Sequence, residues 1–213
     1  MCYNKKSSII AFLTGIISSI ILMVFGDNRY KKENIGIGIL FIFVSFMQLI
    51  DFFIWSDLNC KNGMNKLAGY LGPIVLSLQI FTLFFIVLFS VSDLKIKIIV
   101  FSVNLLFTIY LINFYISYIS KNDNVCSKYD NCRTKWVWIN DKQKYFVNVY
   151  LFMIIFNTVF LFTEKYYIIF SLLVCISILI SLFNYRKHAG EFWCYFANSV
   201  PLILFTLQKL KIL

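Results

Sequence analysis

Residues 35–55 read IGIGILFIFVSFMQLIDFFIW, from Ile35 to Trp55, and carry one ionisable side chain, Asp51. A helix of about 20 apolar residues is enough to cross the ~30 Å hydrocarbon core of a bilayer. Six further segments meet the same measure: Ser7–Phe25, Tyr70–Ser90, Ile96–Ile119, Tyr145–Phe162, Tyr166–Phe183 and Phe192–Leu207. Lipid offers no partner to a free backbone N–H or C=O, so helices are the expected spanning form. A β-barrel would show ~10-residue segments alternating in polarity, and Ile96-Lys97-Ile98-Ile99-Val100-Phe101 does not alternate. The expected fold is therefore an all-α polytopic membrane bundle of about seven transmembrane helices, forming a single transmembrane domain over residues 1–213. The fifth and sixth spans are separated only by Thr163-Glu164-Lys165, and one helix through both would overrun a bilayer, so a tight helical hairpin is expected there. The first apolar run follows Lys5-Lys6, is too long for a typical signal-peptide core and lacks a small-residue cleavage site, so it reads as a retained anchor.

Composition agrees with that reading. The chain is 60% hydrophobic and 14% charged, against roughly 45–50% and 25% in soluble domains. A net charge of +10 would suggest nucleic acid in a polar protein. Here the charges sit in short clusters between apolar runs, so the expected partner is the lipid bilayer and not nucleic acid.

Laying the basic residues on seven spans leaves the orientation nearly balanced. Lys5, Lys6, Lys61, Lys66, Lys121, Lys128, Arg133, Lys135, Lys142, Lys144, Arg186 and Lys187 fall on the face of the N-terminus. Arg29, Lys31, Lys32, Lys95, Lys97, Lys165, Lys209 and Lys211 fall on the other. Half of the larger set belongs to one long connection, so charge alone barely decides. Cysteine gives a second vote: Cys2, Cys60, Cys126, Cys132 and Cys194 lie on or near the N-terminal face. Cys126 and Cys132 bracket five residues and are the expected loop-closing disulfide of an oxidising compartment. That places the N-terminus outside the cytosol and the C-terminus within it.

An ionisable group inside a span is a functional candidate because its insertion is costly. Asp51 is the clearest one. Gln48, Asp51 and Trp55 follow i, i+3, i+7 spacing and share a helix face. Glu191, Cys194 and Asn198 repeat that spacing, and Pro201 extends the line. Both stripes open toward the N-terminal face, where Trp55, Trp136, Trp138 and Trp193 also fall. One reading is a shallow ligand pocket lined by Asp51, Gln48, Glu191 and Asn198, with Asp51 as its charge, Gln48 and Asn198 as hydrogen-bonding neighbours, and Trp55 and Trp193 as walls. The other is that Asp51 reaches up to the interface, the tryptophans form an aromatic belt and the amides join helices. Gln79, Asn104, Asn113 and Asn157 are expected to be helix-joining amides.

Familiar chemistries fail on residue content. The seventh span has no lysine for a retinal Schiff base. One histidine, His188, is too few for a membrane zinc hydrolase and lacks a paired nucleophile. No phosphate-binding glycine loop is present, and Ser90-Val91-Ser92-Asp93 and Asn198-Ser199-Val200-Pro201 do not match the usual receptor motifs. No enzyme activity, metal or cofactor is expected.

Three stretches carry a resemblance: Met1-Cys2-Tyr3-Asn4-Lys5, Met47-Gln48-Leu49-Ile50-Asp51-Phe52-Phe53-Ile54-Trp55, and Gly190-Glu191-Phe192-Trp193-Cys194-Tyr195-Phe196-Ala197-Asn198. They resemble an uncharacterised family of multi-span proteins of mimivirus-type giant viruses, with relatives in some protists and algae. The chain departs from the family pattern at Tyr3, Asp51, Glu191 and Tyr195. The resemblance implies a multi-pass protein of a virion or host-cell membrane and brings no known activity.

Overall fold

A computed structural model describes residues 4–121, 125–130, 133–139, 144–161, 165–184, 193–194 and 196–213. Its helices are α1 (Lys5–Phe25), α2 (Lys31–Ser56), α3 (Met64–Ser90), α4 (Leu94–Lys121), α5 (Lys144–Val159), α6 (Lys165–Asn184) and α7 (Val200–Lys209). The first four are long and apolar enough to cross a membrane. The described apolar stretches of the others, Tyr145–Val159, Lys165–Ser181 and Val200–Lys209, run 10–17 residues. The last expected span, Phe192–Leu207, is interrupted. Residues 193–194 and 196–197 are helical, 198–199 form a turn, and α7 starts at Val200 with Pro201 in its first turn. Proline at that position costs no hydrogen bond, because the first N–H groups of a helix are unpaired in any case.

Local chemistry accounts for the helix starts. Asn4 and Ser7 cap α1 reciprocally, each side chain accepting from the other's backbone N–H at 3.0 Å. Gly63, at φ +79°, precedes α3 in a left-handed conformation that a Cβ would strain. Inside α3, Pro73 cannot donate to the Gly69 carbonyl. The hydroxyl of Tyr118 on α4 donates to that carbonyl instead, at 3.1 Å.

Small residues govern the packing of α1 on α2. Ser8, Ala11, Gly15, Ser18 and Ser19 form the buried stripe of α1, which lets backbones approach closely where no hydrophobic force drives helices together. A Cβ at Gly15 would overlap the Ser45 hydroxyl and the Asn198 side chain. The helix α7 packs on α1 and α2, and α5 packs on α3 and α4. On the periphery, α4 turns Ile98, Ile99, Phe101, Leu105, Leu106 and Ile109 outward.

The long connection expected between the fourth and fifth spans carries a short hairpin. Strand β1 (Lys128–Asp130) pairs antiparallel with β2 (Arg133–Lys135), with Tyr129 opposite Thr134. The flanks of this hairpin enter the bundle. Val125 lies against Gly69 and the Trp138 ring against Gly72, both contacts that a Cβ would block. Trp136 and Trp138 are buried and stacked, with centroids 5.3 Å apart.

The disulfide also differs from expectation. Cys126 is bonded to Cys60 of the α2–α3 connection, with Cα atoms 6.2 Å apart and 66 residues between them in sequence. That corrects the expected Cys126–Cys132 pairing; Cys132 lies outside the described residues. The two connections are drawn together beside the bond by Asn65, whose amide donates to the Ser127 carbonyl and accepts from the Ser127 N–H, both at 2.9 Å. Proximity across the bundle thus outweighs proximity along the chain.

Candidate functional site: a polar line along α2

Asn34, Gly38, Ser45, Gln48 and Asp51 lie along one side of α2, and all are buried. At its far end, Asn34 joins four elements. It accepts from the Tyr166 hydroxyl at 2.9 Å and from Gln208 Nε2 at 2.7 Å, and donates to the Asp27 carbonyl at 3.2 Å. The Asp27 N–H in turn donates to Gln208 Oε1 at 2.7 Å. Beside it, just ahead of α2, the Arg29 guanidinium holds the Asp27 carboxyl below its ordinary pKa through paired hydrogen bonds.

At mid-helix the Ser45 hydroxyl lies 3.0 Å from Asn198 Oδ1, and Asn198 Nδ2 donates to the Ala11 carbonyl at 3.2 Å. Ser18 donates to the Asn198 carbonyl at 3.1 Å. The turn before α7 is therefore clamped to α1 and α2 through a single residue. Breaking the helix at Asn198–Ser199 leaves backbone groups that must find partners inside apolar surroundings, and Ser18 supplies one.

At the N-terminal-face end, Asp51 is 2% exposed. Its Oδ1 accepts from Trp136 Nε1 at 2.7 Å and from Thr134 Oγ1 at 3.1 Å. The carboxylate is covered by the α4–α5 connection, which supplies these donors. One turn inward, Gln48 is fully buried, and among the described residues neither its Oε1 nor its Nε2 has a hydrogen-bond partner. Trp138 Nε1 in the covering segment is likewise unpartnered.

The expected pocket is thus only partly assembled. Gln48 and Asp51 share the line, and Asn198 joins it through Ser45. Asn198 and Gln48 are not the hydrogen-bonding neighbours of Asp51; Thr134 and Trp136 are. Trp193 is no wall of this site, since its Nε1 donates to Ser177 on α6 at 3.0 Å. Trp55 is half-buried at the end of α2, and Glu191 and His188 lie outside the described residues. The signal for Trp136 was in the sequence: two tryptophans beside the Lys- and Asp-rich part of a connection have too much apolar surface to remain in water.

Of the other expected helix-joining amides, Gln79, Asn104 and Asn157 do so, whereas Asn113 is exposed on α4. Gln79 accepts from the Tyr150 hydroxyl and donates to the Phe43 carbonyl at 3.3 Å, linking α2, α3 and α5. Asn104 and Asn157 face each other across α4 and α5, Asn104 Nδ2 donating to Asn157 Oδ1 at 3.0 Å. Among the described residues no group of three His, Cys, Asp or Glu side chains gathers to hold a metal. Comparison with protein-family models, with curated proteins and with solved structures finds no match to this chain.

Proposed function

We propose that the chain is a seven-span integral membrane protein whose polar line on α2 forms a receptor-like or transporter-like site for a small polar solute, entered from the N-terminal face. The observation that carries the site is the fully buried Gln48 carboxamide with no partner among the described residues. Such a group costs about 1–3 kcal/mol while unsatisfied, and its usual explanation is a water, ion or ligand bound to it. Asp51, one turn nearer the N-terminal face, would supply the charge.

Parity supports the seven spans. The Leu213 carbonyl accepts from Arg29 at 3.4 Å, and Gln208 bonds Asp27 and Asn34. The C-terminus therefore sits with the α1–α2 connection, one crossing away from the N-terminus, which requires an odd number of crossings. The Cys60–Cys126 bond on the N-terminal face supports an oxidising compartment on that side. A virion or host-cell membrane is proposed on the three resembling stretches alone.

A second reading, a structural or interaction protein without a ligand, is favoured by a different observation: Asp51, Asn198, Gln79 and Asn104 all bond within the chain. Gln48→Met separates the two. With no ligand, removing the idle amide leaves melting temperature unchanged or raised, and proton, sodium, potassium and amino-acid fluxes in proteoliposomes stay at the empty-vesicle level. With a solute site, the native protein carries one of those fluxes or melts higher with one of those solutes, and Gln48→Met loses the effect. A native protein silent in both assays overturns the solute-site reading.

A further inference from the structure

Between α3 and α4 the bundle leaves a cavity of about 300 Å³. Ile74 and Leu78 line it from α3, and Leu111, Ile112 and Ile116 from α4. Its three hydroxyls are occupied: Ser77 donates to the Pro73 carbonyl at 2.7 Å, Thr108 to the Asn104 carbonyl at 2.8 Å and Tyr115 to the Tyr70 carbonyl at 3.2 Å. The cleft therefore presents hydrocarbon with no free polar group. Ile74, Ile112 and Ile116 are 39%, 55% and 62% exposed, so it opens sideways, away from the rest of the bundle. Residues 73–81 are the central third of α3, which puts the opening at mid-span if the helix crosses a bilayer.

Both ends are pinned. Toward the α3–α4 connection, Phe81 and Phe107 pack with ring centroids 6.3 Å apart. Toward the other end, Tyr115 donates to the Tyr70 carbonyl at 3.2 Å and Tyr118 to the Gly69 carbonyl released by Pro73. These contacts, with those of α4 on α5, hold the gap open. Its size selects the occupant. A helix is 10–12 Å across with its side chains and does not enter. At roughly 30 Å³ for a water-sized group, the cleft has room for a segment of one hydrocarbon chain.

From this geometry we infer that the α3–α4 cleft is a binding site for one acyl chain of a bilayer lipid, held as a resident lipid distinct from the exchanging shell. The inference rests on the membrane reading above. The test uses the full chain reconstituted in dioleoylphosphatidylcholine vesicles, extracted into mild detergent and weighed by native mass spectrometry. The expected result is a retained adduct of one lipid per chain. Thr108→Trp, which fills the cleft, abolishes it, while Ile99→Trp on the outer surface of α4 leaves it unchanged. Ser77→Leu, a smaller filling, keeps the test alive if Thr108→Trp does not fold, and lowers the retained fraction several-fold. No adduct, or an adduct indifferent to filling, overturns the inference. So does a dimer that filling dissociates, which would assign the cleft to a second copy. Release of the native chain from vesicles by alkaline carbonate defeats the membrane reading and this inference together. Firm retention without an adduct defeats only this one.

Discussion

Asp51 takes its partners from 83 and 85 residues further along the chain. That distance is why its position on a helix face was legible in the sequence and its environment was not: periodicity gives a direction, and only the folded connection says what lies there. Because Oδ1 is the acceptor for both Thr134 and Trp136, Asp51→Asn retains an acceptor and Asp51→Leu does not. Leaving a buried indole N–H without a partner costs about 1–3 kcal/mol, so Asp51→Leu is expected to destabilise by that order and Asp51→Asn by less, measured by denaturation in detergent. Equal losses would mean the carboxylate serves something other than these two donors. Asp57, outside the helices, gives a pH dependence. Burial pushes its pKa up, but the N–H groups of Asn62, Lys61 and Asn65 around its oxygens outweigh that and hold it below the ordinary value. A carboxyl depressed by folding stabilises the folded chain above its unfolded pKa, about 3.9, and the contribution fades as pH falls through the lower folded value. Melting temperature should drop on acidification below about pH 4, and the part of that drop due to Asp57 should be absent in Asp57→Asn.

At the scale of elements, the long apolar runs were readable because a bilayer imposes one length on every span. Expected Ser7–Phe25 and observed Lys5–Phe25 differ by two residues, and the other three long helices extend no more than six residues past the expected limits. The disulfide was not readable, since six cysteines allow 15 full pairings and sequence spacing favours the near partner. A bond spanning 66 residues closes a loop containing all of α3 and α4. In the chain-entropy account, closing a loop of this size contributes about 4 kcal/mol. The expected signature is direct: oxidised protein migrates faster than reduced protein on a denaturing gel, Cys60→Ser and Cys126→Ser both abolish the difference, and Cys132→Ser preserves it. Loss of the shift in Cys132→Ser would restore the shorter loop. The packing of the α4–α5 connection was not readable for a related reason. Its charges mark it as extramembrane, yet Gly69 and Gly72 open α3 to Val125 and Trp138, a fit between distant segments that composition does not record.

For the whole molecule, the open quantity is the number of crossings, and contacts at one end of the bundle bear on it more than hydropathy does. Gln208 is tied to Asp27 and Asn34, Lys165 donates to the Ile212 carbonyl at 2.7 Å, and the Ser90 and Tyr167 hydroxyls lie 2.7 Å apart. The end of α3, the start of α6 and the C-terminus therefore share the face of the α1–α2 connection. If α1 crosses once, the C-terminus and N-terminus lie on opposite faces, and four long helices alone, an even number, cannot produce that. On the proposed seven-span reading, α5 and α6 cross in opposite senses and cancel, so the segment containing Asn198 and α7 supplies the odd crossing despite its break. Epitope tags placed before Met1 and after Leu213 in sealed microsomes test this by protease protection. Seven spans predict one tag protected and the other digested. The Cys60–Cys126 bond further predicts that the protected tag is the N-terminal one, on the oxidising side. Two tags with the same fate would require an even number of crossings and dismiss the seven-span arrangement, whereas a protected C-terminal tag would reverse the orientation and leave the parity standing.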